Sequence, residues 1–108
     1  MGIKGKLCYI EFMKKQREVP DLLTIFQALS DPIRLDIVRC ILAAGEKRIT
    51  NDKYQIAKST LSHHLKILTE AQLLVMRKEG VTRIYQIDQQ LIDQAFPNLL
   101  NLVIMDQE

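Results

Sequence analysis

The hydrophobic period of this chain changes once and abruptly, and that change restricts the fold more than any other feature. In "KSTLSHHLKILTEAQLL", residues 58–74, leucines recur at helical spacing. In the overlapping stretch "LLVMRKEGVTRIYQID" the pattern shifts to two short runs rich in Val, Ile and Tyr, on either side of Glu79-Gly80. Glycine permits the positive φ of a tight turn, so this second stretch reads as a β-hairpin. It follows directly on a helix that starts at Lys58 or Ser59 and ends near Ala71.

Upstream, "SDPIRLDIVRCILAAG" predicts a helix over about 32–44, with Asp31 as its cap, Pro32 at the first position and Gly45 past the end. Ile33, Ile37, Cys40, Ile41 and Ala44 share one face, widened by Leu35, Val38 and Leu42, which makes this the central buried helix. Cys40 reads there as a small buried hydrophobe. "PDLLTIFQALS" places Leu22, Leu23, Ile25, Phe26 and Leu29 at helical spacing, with Asp21 suited to a first turn. "EKRITNDKYQIA" is polar, anchored by Ile49, Tyr54 and Ile56, and holds at most a short helix. At the C-terminus "QQLIDQAF" and "PNLLNLVIMDQE" are helical in pattern, with Pro97 as a break or a fresh start. The first 19 residues are basic and weakly patterned, with one candidate helix in "YIEFMKKQREV"; Met13 offers an alternative start, which would make the first dozen residues an extension.

Helices, a short helix, a longer helix and then a hairpin form the element order of a winged helix-turn-helix, mainly α with a small β-hairpin wing. At 108 residues one domain is expected, small enough that pairing with a second copy would help it considerably. With Leu61 at zero on a helical wheel, Leu65, Ile67, Leu68 and Ala71 form an apolar arc that includes His64. Ser59, Ser62, His63 and Lys66 fall on the opposite arc. The adjacent histidines therefore divide: His64 packs at the core edge, and His63 points outward. Adjacent positions diverge by about 100° on a helix, so the pair is ill placed to share a metal ion.

Charge supports a polyanionic partner. Residues 88–108 hold Asp88, Asp93, Asp106 and Glu108 and no Lys or Arg, so all 15 basic but only 9 of 13 acidic side chains precede them, a balance of +6 against +2 overall. Lys58, Lys66, Arg77, Lys78 and Arg83 add positive charge around this helix and the hairpin, opposed there by Glu70 and Glu79. No nucleophile elbow, phosphate loop, dinucleotide fingerprint or Cys/His/Asp grouping at motif spacing is present, so an enzyme is not expected and no cofactor is indicated. Cys8 and Cys40 lie far apart without a C-x-x-C pair or a nearby histidine. No apolar run approaches the roughly 18 residues of a membrane span and no secretory apolar region is visible, so a cytoplasmic protein is expected.

The residues that carry this reading resemble the ArsR-type winged-helix repressors. "FQALSDPIRLDIVRCILAAG" is similar to that family's central helix, "STLSHHLKILTEAQLL" to its DNA-reading helix, and "MRKEGVTRIYQI" to its wing, in the right order over about residues 20–88. The resemblance implies a homodimer built from terminal helices, a palindromic double-stranded DNA operator, and repression relieved by a metal or another signal. Carried over, Lys58, Ser59, Ser62 and His63 take DNA-facing positions on the helix, with Arg77, Lys78 and Arg83 in or near the wing. It also implies three parts: a basic extension over 1–19 that contacts the dimer partner, a DNA-binding domain over 20–88 and a dimerisation helix within 89–108. The chain departs from the pattern in four places. His63 replaces the usual arginine, and Gln72 stands where the family has glycine. The segment from Gly45 to Ser62 is about one helical turn short, which predicts a stunted supporting helix. The family's cysteine-pair metal motif and its C-terminal Asp/His ligands have no counterpart, so no metal site is expected. A thiol-responsive repressor using Cys8 and Cys40, and a winged helix used as a protein-interaction module, are the alternatives.

Overall fold

The computed structural model describes residues 20–105. The expected extension over 1–19, with Cys8 and Met13, therefore lies outside the described residues. Five α-helices and three strands follow in order: α1 Leu22–Leu29, α2 Pro32–Ala44, β1 Glu46–Lys47, a 3-10 turn Asp52–Tyr54, α3 Lys58–Glu70, β2 Leu74–Glu79, β3 Thr82–Ile87, α4 Gln89–Ala95 and α5 Leu99–Met105.

Local chemistry sets these boundaries. Asp31 accepts from the amides of Ile33 (2.8 Å) and Arg34 (3.1 Å), Pro32 opens α2, and Gly45 closes it at φ 87°. Asp21 caps α1 through the Thr24 amide at 3.0 Å, one position earlier than the first-turn role expected of it. The end of α3 is a Schellman motif: the Leu73 amide donates to the Leu68 carbonyl (3.1 Å) and the Gln72 amide to the Thr69 carbonyl (3.0 Å). Gln72 occupies the left-handed position at φ 69° without being glycine. Between α2 and α3 the supporting helix is reduced to the three-residue 3-10 turn, in keeping with the shortened segment.

The hairpin turns one residue later than the sequence suggests. Glu79 pairs with Thr82 inside the sheet, so Gly80 and Val81 form the turn, with positive φ at Gly80 alone, the II′ pattern. The sheet also has a strand that the sequence did not announce. Glu46 and Lys47 pair with Gln86 and Tyr85, giving an antiparallel sheet in the order β1-β3-β2. Two residues are too short for a periodic signal; their place is set by β3.

One core joins the layers: Ile25 and Ala28 of α1; Ile37, Val38 and Ile41 of α2; Leu61, Leu65 and Leu68 of α3; Leu74, Tyr85 and Ile87 of the sheet; and Ile92, Leu99, Leu100 and Val103 of the last two helices. Each fully buried Ile or Leu contributes about 1.5–3 kcal/mol, so this cluster supplies most of the stability. The broad apolar face expected of α2 is narrower in fact: Ala44 is exposed and Cys40 only half-buried. Cys40 is not a simple core hydrophobe, because its Sγ lies 3.1 Å from Lys53 Nζ and 3.6 Å from Asp36 Oδ2. Leu22, Leu23 and Phe26 of α1 and Leu102, Ile104 and Met105 of α5 remain exposed.

Asp36 and Asp31 couple this fold to pH. Burial alone would raise the pKa of Asp36, but hydrogen bonds from the Tyr54 hydroxyl (2.7 Å) and the Lys53 ammonium (2.9 Å) outweigh it and hold the group below the usual carboxylate range. Burial opposes the Arg34 and Ile33 amides at Asp31 in the same way, and the amides again prevail. Both groups stabilise the fold above the unfolded-chain pKa of about 3.9, and that stabilisation is lost as pH falls through their lower folded values. Urea midpoints should hold level from neutral pH to about 5 and drop below about 4. Asp31→Asn and Asp36→Asn should each flatten that acid limb. Separately, Gln72→Gly should raise stability by about 0.5–1 kcal/mol, the left-handed cost less the added chain entropy of glycine. The measurement is a urea midpoint shift at constant m and fixed protein concentration.

Candidate nucleic-acid interface

The inner side of α3 is buried through Leu61, His64, Leu65 and Leu68. This leaves Lys58, Ser59, Ser62, His63 and Lys66 exposed together on the outer side, as the helical wheel requires. His64 is the buried polar side chain of the core, and Arg34 Nη1 lies 3.0 Å from its Nδ1. A guanidinium can only donate, so Nδ1 is the acceptor. The same guanidinium donates to the Ala28 carbonyl (2.7 Å) and the Gln27 carbonyl (3.4 Å) at the end of α1. Arg34 thus ties α1 and α3 to the start of α2, a role the sequence did not single out.

The N-terminus of α3 has Ala57 at its cap position and no side-chain cap, whereas α1 and α2 are capped by aspartates. Its first-turn amides have no side-chain acceptor and, with the helix dipole, favour a phosphate.

Strand alternation sorts the wing cations onto two faces. Leu74, Met76 and Lys78 stand opposite Ile87, Tyr85 and Arg83; Leu74, Tyr85 and Ile87 are buried, so Lys78 and Arg83 extend that inner face toward the tip. They are direct cross-strand partners of like charge, which costs about 0.2–1 kcal/mol, and no carboxylate among the described residues pairs with either. Arg77 lies on the other face. It binds both oxygens of Glu46 at 2.8 and 3.0 Å and Glu79 at 2.9 Å, and it holds the Glu46 carboxyl below its usual range. Its charge is already engaged within the protein.

Between α3 and the wing runs an open groove of about 810 Å³ lined by Arg48, Lys58, Ser62, Lys66 and Arg83 among others. Of the residues singled out by sequence, Lys58, Ser62, Lys66 and Arg83 meet in this groove. Ser59 and His63 lie beside it on the outer helix face, Lys78 sits toward the wing tip, and Arg77 is turned away. Lys66 has only a 4.0 Å contact to Glu70, with both side chains well exposed, a pairing worth little in water. Arg48 is the residue that sequence reasoning missed, since only the pairing of β1 with β3 brings it beside the wing. Among the described residues no three His, Cys, Asp or Glu side chains converge; His63 is exposed and His64 buried, with ring centroids 6.3 Å apart.

No family model matches the chain. Its sequence is 36% identical over 89 residues to the arsenical resistance operon repressor of Staphylococcus xylosus, covering 81% of this chain and 85% of that protein. Its fold is similar to that of HlyU from Vibrio cholerae N16961, with a TM-score of 0.62 and 22% identity over 76% of this chain and 86% of that one. It is also similar to that of an ArsR family transcriptional regulator, with a TM-score of 0.58 and 22% identity over 81% of this chain and 93% of that one. The solved structures speak to the fold, and the sequence relative speaks to kinship. The chain belongs to the ArsR family of winged helix-turn-helix transcriptional repressors.

Proposed function

We propose that the protein acts in the cytoplasm as a homodimer that sets the outer face of α3 into the major groove of a palindromic operator and blocks transcription there. It does so as a binding protein without catalytic activity. The observation that carries this reading is the groove between α3 and the wing, where Arg48, Lys58 and Arg83 stand with no carboxylate partner among the described residues, next to Lys78 on the same wing face. Arg48, Lys58, Lys66 and Arg83 line that groove against the carboxylate of Glu70, and a phosphate backbone neutralises the positive excess. Ser59, Ser62 and His63 offer short donors to base edges, while Lys58, Lys66, Lys78 and Arg83 take phosphates.

In this reading residues 20–88 form the DNA-binding unit and 89–108 supply dimerisation, with 1–19 adding to it. Exposed Leu22, Leu23 and Phe26 on α1, and Leu102 and Met105 on α5, are the apolar surface that a second copy covers. A two-fold pair would then read half-sites about one helical turn apart.

An operator selected from genomic DNA fragments is the test. Affinity for it should fall steeply with salt, and Lys78→Ala or Arg83→Ala should weaken all duplexes alike and lower the salt slope by about one per protomer. Arg77→Ala should change the slope by less than half as much, because Glu46 and Glu79 already neutralise it. His63→Ala should instead reduce discrimination between operator and random duplex by about fivefold, the worth of one hydrogen bond. Fluorescence anisotropy separates these outcomes, and equal effects of all four variants on every duplex would reject the division of roles. For the dimer, sedimentation equilibrium should show a pair in the native chain and a monomer after Leu102→Asp, with operator affinity lost in step. A native chain that sediments as a monomer would reject that part.

A further inference from the structure

We infer a second binding site, for a small oxyanion of phosphate size, beside the groove and built from α2, β1 and the 3-10 turn. A pocket of about 170 Å³ is lined by Cys40, Lys47, Arg48, Thr50, Lys53 and Tyr54. Lys47 pairs with Tyr85, so it stands on the inner face of the sheet. The 3-10 turn brings Lys53 to 3.1 Å from Cys40 Sγ in the pocket lining and to 2.9 Å from Asp36, which is not part of that lining. Asp36 is the carboxylate that touches this cluster, and its Oδ2 already accepts from Tyr54 and Lys53.

Three cations facing one carboxylate leave a local excess of positive charge. Among the described residues no carboxylate forms an ion pair with Lys47 or Arg48. The Thr50 hydroxyl adds a neutral donor to the same walls. Ammonium, guanidinium and hydroxyl groups around one cavity bind oxyanions through charge-assisted hydrogen bonds, and they repel metal cations. The pocket has room for inorganic phosphate or the phosphoryl group of a small phosphomonoester.

Phosphate chemistry has two sources here, a DNA backbone or a free ion. The pocket is assigned to the free ion because Cys40, Lys47, Lys53 and Tyr54 do not line the DNA groove. Arg48, Ile49 and Thr50 line both cavities, which couples them. An anion that draws the Arg48 guanidinium into the pocket removes it from the groove, so anion and operator weaken each other reciprocally. This coupling rests on the DNA-binding reading, whereas the pocket itself does not.

Inorganic phosphate is the probe, titrated into the full chain at constant ionic strength with chloride as the replaced ion. Calorimetry without DNA should show saturable binding of one phosphate per chain, and amide shifts should centre on residues 47–54. Lys47→Gln should weaken this by about fivefold or more, and Lys47→Arg should retain it. Saturating phosphate should lower operator affinity about fivefold in the native chain and leave the Lys47→Gln variant unaffected. Absence of saturable binding, or binding that Lys47→Gln leaves unchanged, overturns the site. Duplex DNA that shifts Cys40, Lys47 and Lys53 without free phosphate overturns it in favour of the backbone. Equal inhibition of both chains overturns the coupling. Should the chain bind phosphate in this pattern and no duplex at all, the DNA-binding reading fails and the anion site stands.

Discussion

The inner side of α3 can be buried in one rotation only, because Leu61, Leu65 and Leu68 must leave water while His64 must keep a hydrogen-bond partner. Arg34 supplies that partner at 3.0 Å. The leucines provide the larger energy, about 1.5–3 kcal/mol each, against roughly 1.5–3 kcal/mol for a single charge-assisted bond. The leucines therefore drive burial, and the bond decides how the helix is turned. Through the Ala28 carbonyl the same guanidinium also bonds the end of α1, so one side chain of α2 links all three helices. Once α3 is set, Ser59, Ser62 and His63 have no choice but to face outward.

The wing obeys a similar economy of cause. Tyr85 and Ile87 must be buried, so strand alternation puts Lys78 and Arg83 on the side of α3 and Arg77 on the other. Outside, Arg77, Glu46 and Glu79 make a self-contained network. Inside, the positive side chains lack such partners among the described residues. A protein whose hairpin carries cations on both faces thus presents uncompensated charge on one of them, the one adjoining the outer helix surface.

Much of this was legible in the chain. The Asp31, Pro32 and Gly45 signals bounded α2 to the residue, the helical wheel separated His63 from His64, and the change of period located the hairpin. Other features depend on contacts between residues distant in sequence, which no local pattern encodes. β1 exists because β3 offers it an edge, and Arg48 reaches the groove only as a result. Arg77 could not be told from Lys78 by charge; the sheet register and the remote Glu46 distinguish them. Cys40 looked like a core residue because its helical position is apolar, yet Lys53 and Asp36 surround it with polar atoms. The turn at Gly80-Val81 was displaced by one because Glu79 has the partner Thr82, a matter of register.

The bare start of α3 has a consequence for how the molecule behaves alone and in company. A helix of 13 residues that its own chain does not cap forgoes roughly 1 kcal/mol at its leading turn. In solution that turn is the part most prone to fray, and its amide hydrogens will exchange with water sooner than those around Leu65 and Leu68. In the DNA-binding reading proposed above, a phosphate seated there completes the cap, and a share of the binding energy goes to ordering that turn.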